Sequence, residues 1–488
     1  MVQHLAKTNF IERCEQERLH LSGKVQSGNS LAVFDNDGVI TDISTNFDPA
    51  LLLHKDVFDA IANEARISTF TSLPNLHFVS SSEENNVNRR YFSLFQRGVF
   101  IEGALLKYSS TFVLEIYGEG DDIPSPSPKL PPDFDDYTDF VEQIRLLTHL
   151  DRIMVYRFTG NEDGEVVAES HIPDIGSYLN HRYPASDVPM IARRLYLLNP
   201  WRTIRDRDGE AASVISIDQK PPDLTYSDVR SVSPYHIEYM QAMGTCTSLS
   251  IPIAVDGRLW GLVSGHSKSY THLTLSQLLK AKELSRRFNN KVLTDLHKRQ
   301  FEALDSLGRL ERRIRRDVLD ERSLETILSE SATEICGLVK SSALIATDGE
   351  VIFSHNFVDP IENVASLISI DNHLERPHVS EAIPKDFPLM LSNYVGLARV
   401  VFVFEGAVWN LILFRREEIE EITWGHRSEN PSNTSTSPYP TSPSASFESY
   451  VELRHGHCRS FTRYDIRTLT TIARALSYGE RSGSYAPL

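Results

Sequence analysis

One pattern of apolar and polar positions occurs four times along the chain: an apolar run, a tight acidic–glycine turn, and a second apolar run. The four segments are SLAVFDNDGVITDI, SLSIPIAVDGRLWGLVSGH, ALIATDGEVIF and VVFVFEGAVWNLILF. Asp-Gly between apolar runs is a strong hairpin signal, and the Glu-Gly of the fourth segment is a weaker one. The hairpins fall in three regions with helical stretches between them. We therefore expect an α+β protein with three tandem antiparallel-sheet domains.

A long helix is predicted between the second and third regions. No proline occurs from Leu273 to Leu319. Apolar residues recur every four positions from Leu284 to Leu296, and every three or four from Phe301 to Val318. That spacing produces one apolar stripe on a helix much longer than an ordinary globular helix. Such a helix usually bridges two domains or pairs with a partner chain.

Two segments of biased composition divide the rest of the chain. The proline-rich GDDIPSPSPKLPPDF suits neither a helix nor an inner strand, so it marks the first domain boundary. RSENPSNTSTSPYPTSPSAS interrupts the last region and is predicted to be a long excursion. We expect domains at residues 1–124, 130–305 and 306–488, with a hairpin around 412–450 that contains the excursion.

Composition narrows the class of protein. The 488 residues suffice for roughly three domains. A net charge of −16 argues against nucleic-acid binding, and no apolar run is long enough to span a membrane. The beginning of the chain lacks the apolar core of a signal peptide. Cys14, Cys246, Cys336 and Cys458 are too widely spaced for a metal site or a disulfide framework, so we expect a reducing, cytoplasmic location.

The stretch HRYPASDVPM holds Asp187 between Pro184 and Pro189. Each proline fixes its own φ and moves the preceding residue out of the helical region, so the segment is a rigid elbow. Two interpretations stay open. Either Asp187 caps the helix predicted in IARRLYLLN, or it is a polar group held rigidly against a ligand.

Further polar residues near this elbow suggest a ligand pocket. A helix beginning at Ser233 carries His236 in its first turn, and His266 ends an apolar strand. A lone histidine in such a place is more often a satisfied, partly buried residue. Several polar groups that converge between apolar walls, however, are typical of a pocket, here one for a flat conjugated ligand. The other polar groups are Asp187, Tyr156 and Tyr183, and the apolar ones are Met154, Ile191 and Met240.

Three further features bear on that pocket. Arg202 and Arg230 are either surface arginines or guanidinium groups that capture carboxylates through paired hydrogen bonds. Ser248 and Ser250 alternate along one strand, so their hydroxyls point to the same face. Cys14 is an ordinary cysteine by its sequence alone, because its acidic neighbours disfavour the reactive thiolate.

Several segments together resemble one known family. They are ERCEQERLHLSGKVQ, DRIMVYRF, GEVVAES, YPASDVP, ARRLYLLN, VRSVSPYHIEYMQAMG, LFRREEIEEITWG and PSASFESY. Over about residues 9–475 the chain is similar to the photosensory module of bacterial phytochromes, the red/far-red light receptors that bind a linear tetrapyrrole. The resemblance implies PAS, GAF and PHY domains in tandem, with a knotted PAS–GAF junction.

The resemblance also implies a cofactor. In ERCEQERLHL, Cys14 occupies the place of the bacterial-type attachment cysteine, so biliverdin IXα would be bound to it through a thioether. The plant-type attachment position is Tyr235 here, which excludes attachment from that site. Light would isomerise the cofactor at its ring D. The change would pass through the hairpin around 412–450, called the tongue, and the long helix of a homodimer to an output kinase or another signalling partner.

The residues implied as contacts follow from the same resemblance. The carbonyl of Asp187 and the ring of His236 would face the pyrrole nitrogens, and Arg202 and Arg230 would hold the propionates. The full set of implied cofactor contacts is Cys14, Tyr156, Tyr183, Asp187, Val188, Pro189, Tyr196, Arg202, Arg230, Ser233, Tyr235, His236, Tyr239, Ser248, Ser250 and His266. The implied tongue residues are Trp424, Gly425, Pro443, Ser444, Ser446 and Phe447.

Two tongue positions differ from the family pattern. Ser444 stands where the family usually has an arginine that pairs with the elbow aspartate, and His426 replaces a glycine. We expect an altered balance between the two light-interconvertible states. The alternative function is a non-photochemical, small-molecule-sensing PAS/GAF regulatory adaptor. We predict no enzyme activity in this chain, because the nearest metal-like motif, His455 and His457 in RHGHC, is more often a solvated turn.

Overall fold

The computed structural model describes residues 18–37, 39–48, 76–96, 99–120, 134–160, 162–350, 352–359, 377–381, 393–425 and 449–479. The strands in this part are β1 Lys24–Val25, β2 Ser30–Phe34, β3 Ile40–Ser44, β4 Leu76–Glu84, β5 Val87–Gln96, β6 Val99–Tyr108, β7 Thr111–Gly120, β8 Arg152–Phe158, β9 Gly164–His171, β10 Arg182–Tyr183, β11 Arg202–Ile204, β12 Ala212–Ser216, β13 Thr247–Val255, β14 Arg258–Ser267, β15 Ala343–Thr347, β16 Ile352–His355, β17 His378–Ser380, β18 Gly396–Phe404, β19 Ala407–Arg415, β20 Glu420–Trp424 and β21 Tyr450–Arg454. The α-helices are α1 Tyr137–Thr148, α2 Met190–Leu198, α3 Pro234–Ala242, α4 Leu275–Leu319, α5 Leu324–Val339 and α6 Arg463–Leu476, and single 3₁₀ turns occupy Leu19–Leu21 and Ala185–Asp187.

All four predicted hairpins form antiparallel pairs: β2 with β3, β13 with β14, β15 with β16, and β18 with β19. Asp256 and Gly257 have φ angles of 50° and 73°, and positive values at both positions suit a two-residue turn between twisted strands. Glu405 and Gly406 adopt nearly the same angles, 50° and 76°, so the weaker Glu-Gly signal makes the same kind of turn. The predicted α+β class is confirmed.

The first sheet has the antiparallel order β1-β12-β3-β2-β7-β6-β5-β4. Most of its strands come from the beginning of the chain, but β12 comes from the region that follows β11. β12 lies between β1 and β3, pairing Ala212 with Val25 and Val214 with Ser44. The first sheet therefore requires a strand from the predicted second domain, and the knotted junction itself stays a prediction.

The second sheet runs in the order β11-β13-β14-β8-β9-β10, and each of these neighbours is antiparallel. At the β10 edge, Trp424 of β20 pairs with Arg182 in the parallel direction. Helix α1 packs against β8 and β9, while α2 packs against β13 and β14. This arrangement leaves α2, α3 and the strands between them to form the walls of a pocket, described below.

Helix α4 continues without interruption through 45 residues, as its proline-free apolar stripe predicts. Near the start of α4, Phe288 is fully buried and stacks on Phe140 of α1, with ring centroids 4.1 Å apart. In the middle of α4, Phe301 and Leu304 are 71% and 42% exposed, although they belong to the same stripe. Large exposed apolar side chains on this stretch are available for contact with another surface.

The third sheet has the order β16-β15-β19-β18-β17 and packs with α5, α6 and the last part of α4. By its internal packing the chain divides into two compact units, Met1–Leu293 with Thr423–Tyr450, and Thr294–Ile422 with Val451–Leu488. The three-domain boundaries inferred from the sequence stay a prediction. Among the described helices, none combines the length and apolar character needed to cross a bilayer.

We expect the substitution Phe140→Ala to destabilise the first unit by about 3–5 kcal/mol, because it removes the stacked partner of Phe288 and leaves a cavity in the core. Leu146→Ala on the same helix is the control, since Leu146 is 57% exposed and its truncation is expected to cost less than about 0.5 kcal/mol. Urea-induced unfolding of both variants measures the difference. Equal losses of stability would contradict the packing of α1 on α4.

Candidate functional site

A pocket lies between the second sheet, α2, α3 and the loop at residues 227–233. It comprises two adjoining cavities with about 1110 and 650 Å³ of space between atoms, including space that is open to solvent. The two cavities are continuous in their walls, since both are lined by Asp187, Val188, Tyr196, His236, Tyr239, Ser248 and Ser250.

Every sequence-predicted cofactor contact in the described residues lines this pocket. Pro189, Arg202, Arg230, Ser233 and Tyr235 line the first cavity, which also contains Ile191. The second cavity adds Tyr156, Tyr183, His266, Met154 and Met240. Cys14 lies outside the described residues, as do the tongue residues His426, Pro443, Ser444, Ser446 and Phe447.

Sequence reasoning missed several lining residues. Ser264 was detectable, because it lies two positions before His266 on β14 and therefore on the same face of the strand. Some of the others come from loops or helix ends, where no short-range pattern indicates the direction of a side chain. They include Tyr178, Asn199, Trp201 and Ser231.

One end of the pocket carries two arginines, of which Arg230 is buried and Arg202 is partly buried. Arg202 on β11 donates to the backbone carbonyls of Asp228, Arg230 and Ser231, and Arg230 donates to the carbonyl of Leu224. Among the described residues, no carboxylate lies within 4.0 Å of either guanidinium group. Burial, followed by the charge of Arg230, lowers the pKa of Arg202 to about 9. Two neighbouring cations, one buried and one partly buried, suit an anionic ligand, since charges removed from water are normally paired.

Asp187 lies in the centre of the pocket wall, at the end of the 3₁₀ turn. The hydroxyl of Tyr239 donates to its Oδ2 at 3.1 Å. The interpretation of Asp187 as the cap of α2 is wrong, because Pro189 is the N-cap residue and no side chain caps that end. Val188, with φ −128° and ψ 84°, separates Asp187 from the helix and turns its carboxylate away from the first helical N–H groups.

Two neutral histidines line the pocket. The ring of His236 stacks on Tyr239 with centroids 5.9 Å apart, and burial, followed by the charge of Arg202, lowers its pKa to about 4. His266 Nε2 lies 3.2 Å from the Ser264 hydroxyl, whereas its buried Nδ1 has no hydrogen-bond partner among the described residues. Burial, followed by the charge of Arg152, lowers the pKa of His266 to about 3. An orphaned ring nitrogen in a cavity wall fits a polar ligand group as its partner.

Gly425, one of the predicted tongue residues, contacts the wall of the second cavity. The backbone N–H of Gly425 donates to the carbonyl of Arg182 at 2.9 Å. A Cβ on Gly425 would lie 2.4 Å from ring atoms of Tyr183, so the two residues are in close contact. Tyr183 in turn lies 6.0 Å from Tyr156 by ring centroid. A displacement of this strand would therefore move the cavity wall.

The other candidate residues, histidines and cysteines, do not form a metal or catalytic site among the described residues. His455 Nδ1 lies 3.8 Å from a carboxylate oxygen of Glu417, and within the described ranges no group of three metal-ligating side chains forms a site. Cys246, Cys336 and Cys458 are buried, and burial raises the pKa of the Cys336 thiol to about 11. The pKa values of the other two thiols are raised for the same reason.

Two family descriptions match the chain. "GAF domain" matches residues 137–290, and "Phytochrome region" matches residues 307–478. Each range lies within the corresponding domain expected from the sequence. The pocket described above is formed mostly by residues of the GAF match.

Two curated relatives are bacteriophytochromes. The one from Pseudomonas aeruginosa is 31% identical over 344 residues, which cover 67% of this chain and 46% of that protein. The one from Xanthomonas campestris pv. campestris is 27% identical over 362 residues, covering 69% of this chain and 56% of the relative. This chain thus spans about half the length of the bacteriophytochromes that it matches.

Two solved structures share the fold. The crystal structure of a bacteriophytochrome from the photosynthetic bacterium R. palustris has a TM-score of 0.71 at 22% identity, covering 96% of this chain and 100% of that one. The photosensory core module of Stigmatella aurantiaca phytochrome has a TM-score of 0.68 at 21% identity, covering 97% and 99%. A GAF pocket followed by a phytochrome region defines a phytochrome-type photosensory module. The domain matches, the relatives and the shared fold together support a bacteriophytochrome photosensory module.

We expect His236 and His266 to stay neutral down to about pH 5, because their folded-state pKa values lie near 4 and 3. The unfolded chain takes up these protons near pH 6.5, so the stability contributed by the neutral rings is complete above that pH. It decreases as the pH falls, by up to about 1.4 kcal/mol per pH unit and histidine. Imidazole ¹⁵N NMR measures the protonation of the two rings. A titration step near pH 6.5 for either ring would contradict this prediction.

We expect Gly425→Ala to destabilise the first unit by about 1–3 kcal/mol, because the added methyl group overlaps the ring of Tyr183. Gly176→Ala is the matched control, since a Cβ there has no neighbouring atom within 4 Å. Urea-induced unfolding compares the two variants. If both have the stability of the unmodified protein, the contact between the strand and Tyr183 is not the tight one described.

Proposed function

We propose that this chain is the light-sensing module of a red/far-red photoreceptor that binds biliverdin IXα in the pocket of its GAF domain. The observation that carries the proposal is the polarity of the pocket. Arg202 and Arg230, which have no carboxylate within 4.0 Å among the described residues, lie at one end. Asp187 and His236 lie in the centre, and His266, whose Nδ1 has no hydrogen-bond partner in the described part of the chain, lies at the other end. A linear tetrapyrrole with two propionates presents a partner for each of these groups. We further propose the domain ranges 1–124, 130–305 and 306–488 for PAS, GAF and PHY.

The proposed contacts assign each side chain a task. Arg202 and Arg230 would bind the propionates, and the hydroxyls of Ser233, Ser248 and Ser250 would add neutral hydrogen bonds. The Asp187 carbonyl and His236 would accept from the pyrrole N–H groups. Neutral His236 is suited to this task because an uncharged imidazole has one acceptor nitrogen.

The other end of the pocket would hold ring D. His266 Nδ1 would supply a hydrogen bond to the ring carbonyl when that nitrogen carries the proton. Tyr156 and Tyr183 would enclose the ring, since both side chains line the second cavity. A bilin supplies visible light absorption and a double bond that isomerises on excitation, so a changed shape at this end would act first on these three residues.

Cys14 is the proposed attachment residue. Its thiol sulfur would form a bond to a vinyl carbon of the bilin, and the thiol proton would go to the neighbouring vinyl carbon, so no oxidant is needed. The three described cysteines are poor alternatives, because each is buried and has a raised thiol pKa.

The contact between Gly425 and Tyr183 supplies a route for the signal. We propose that movement of Tyr183 changes the pairing of Gly425 with Arg182, and that the tongue then exchanges its conformation. The exposed Phe301 and Leu304 on α4 would contribute to a homodimer contact. An output kinase or another partner would receive the signal, so the role of this chain is sensory rather than enzymatic.

The first test is an absorption spectrum of protein produced together with biliverdin, recorded before and after red and far-red light. We expect a red band that interconverts with a far-red band. Cys14→Ala is expected to abolish the covalent adduct, so that denatured protein releases the pigment. A red band that bleaches without a far-red product would leave a bilin binder with an impaired switch. The absence of any bound pigment would refute the photoreceptor function and favour a non-photochemical ligand sensor.

The arginine contacts have a separate test. Arg202→Ala is expected to weaken biliverdin binding about 10- to 100-fold, because a charge-assisted hydrogen bond contributes about 1.5–3 kcal/mol. The matched control is Arg258→Ala, since Arg258 is exposed at the end of a hairpin. Titration of the apoprotein with biliverdin measures both affinities in the Cys14→Ala background. Equal affinities would exclude Arg202 from the ligand contacts.

A further inference from the structure

Two buried carboxyl groups lie behind the arginine end of the pocket. Glu115 belongs to β7 of the first sheet, and Asp228 belongs to the loop at residues 227–233. Their exposed fractions are 0% and 3%. The hydroxyl oxygen of Tyr117 lies 3.3 Å from Glu115 Oε2 and 3.0 Å from Asp228 Oδ2. These three residues form a cluster that the bilin contacts described above do not use.

The hydrogen-bond geometry of this cluster restricts how many of its carboxyl groups can be ionised at once. A tyrosine hydroxyl has a single proton, which it donates to one acceptor. Tyr117 contacts two carboxyl oxygens, so it donates to one of them and accepts from the other only if that carboxyl group is protonated. Two ionised carboxylates around one hydroxyl would leave one contact between lone pairs. Like charges at this separation disfavour the doubly ionised state as well.

No neighbouring cation neutralises the pair directly. The backbone N–H of Asp228 donates to Glu115 Oε1 at 3.1 Å, while Asp228 Oδ1 is buried and has no partner among the described residues. Arg89 is fully buried nearby, but its Nη2 donates to Asn199 and to backbone carbonyls instead. The charged and titratable groups that surround the cluster are Arg89, Tyr91, Tyr108, Arg202, Arg205 and Arg230.

Burial dominates the electrostatics of the pair. Burial, followed by the charge of Asp228, raises the pKa of Glu115 to about 8. Burial also raises the pKa of Asp228, against the opposing effect of Arg89. Both directions agree with the hydrogen-bond geometry, which requires a proton on one member.

We propose that Glu115 and Asp228 share one proton at neutral pH through the Tyr117 hydroxyl, and that this proton sets the strength with which the adjacent arginines bind an anionic ligand. Asp228 is a positioning residue in this arrangement. Its backbone carbonyl accepts from Arg202 Nη1 at 3.1 Å, and Arg230 follows it by two positions. The identity of the anion, the propionates of a bilin, rests on the proposed function, whereas the shared proton does not.

Loss of the shared proton would add a negative charge beside Arg202 and Arg230. That charge would compete with the carboxylates of the ligand, so the affinity would fall as the pH rises through the pKa of the pair. By linkage, a bound dianion would raise the proton affinity of the carboxyl pair. Ligand binding would therefore take up protons from solution. A purely structural carboxyl pair with a constant charge would show neither effect.

The shared proton is tested on the apoprotein. The unfolded chain releases it near pH 4.5, whereas the folded protein retains it to about pH 8. The stability therefore decreases with rising pH in this interval. The ratio of the unfolding constants of the unmodified protein and Glu115→Gln should rise up to tenfold per pH unit between about pH 7 and 8. The control Glu210→Gln, at an exposed position, should leave the pH dependence unchanged.

If the stability of Glu115→Gln depends on pH in the same way as that of the unmodified protein, the proposal is overturned. If that variant does not fold, Asp228→Asn replaces it, because a neutral amide there also imitates the singly protonated pair. If neither folds, infrared spectra of the unmodified protein decide. A protonated-carboxyl band that is present near pH 7 and lost near pH 10 is expected, and its absence near pH 7 would refute the shared proton.

The link between the shared proton and ligand binding is tested by titrating the Cys14→Ala variant with biliverdin. Biliverdin binding should weaken between about pH 7 and 9, with proton uptake measured by calorimetry in buffers of different ionisation enthalpy. Biliverdin dimethyl ester, which lacks both charges, should bind with little proton uptake, as should biliverdin with Glu115→Gln. Equal proton uptake by both ligands would overturn the link. A complete lack of biliverdin binding would instead refute the proposed function, while the apoprotein test still decides the shared proton.

Discussion

The pocket depends on how backbone carbonyls before and within the loop at residues 227–233 compensate the guanidinium groups of Arg230 and Arg202. Arg202 uses three backbone carbonyls of this loop, and an uncompensated guanidinium group in such surroundings would cost several kcal/mol. The loop is in turn held by the first sheet. Val25 of β1 bridges Arg230, and Gln26 Nε2 donates to the carbonyls of Thr203 and Arg230 at 2.8 and 3.3 Å. The arginine end therefore cannot be assembled from the second sheet alone.

Strand β12 matters for the same reason, because it also connects the pocket to the first sheet. Its insertion between β1 and β3 brings the segment before the loop into the first sheet, so the backbone of the pocket is fixed at two places. Arg89 of β5 adds a third connection, because it donates to the carbonyls of Leu198 and Tyr226. A pocket with this support is preorganised, and a preorganised site loses less free energy on binding than one that orders around its ligand.

Local features of the structure were predictable from the sequence, and distant ones were not. The hairpins depend on residues next to one another, so Asp256-Gly257 and Glu405-Gly406 indicate their own turns. The apolar stripe of α4 is periodic, so it was equally predictable from the sequence. For pocket residues such as Arg202 and His266 the local sequence left the ordinary structural role open, and only the family resemblance implied a contact with a particular ligand.

Three findings lay beyond sequence reasoning for a different reason. Asp187 had the composition of a helix cap, but the conformation of Val188 places the start of the helix two residues later. β12 joins a sheet far from it along the chain, and no periodicity indicates such a partner. Glu115 and Asp228 are 113 positions apart, and only the fold brings their carboxyl groups to one hydroxyl.

The charges along the pocket determine how an elongated ligand is oriented. Arg152 lies near His266 and would make the second end cationic as well, but Glu169 pairs with it at 2.7 Å and both side chains are buried. His236 and His266 are neutral, so the uncompensated positive charge remains at the Arg202 and Arg230 end. A ligand with carboxylates on one side would gain their attraction in one orientation and lose it in the reverse one. Specificity of this kind is a difference between two affinities. Because an ionised Glu115–Asp228 pair would reduce that difference, the protonation of two residues outside the pocket contributes to the orientation within it.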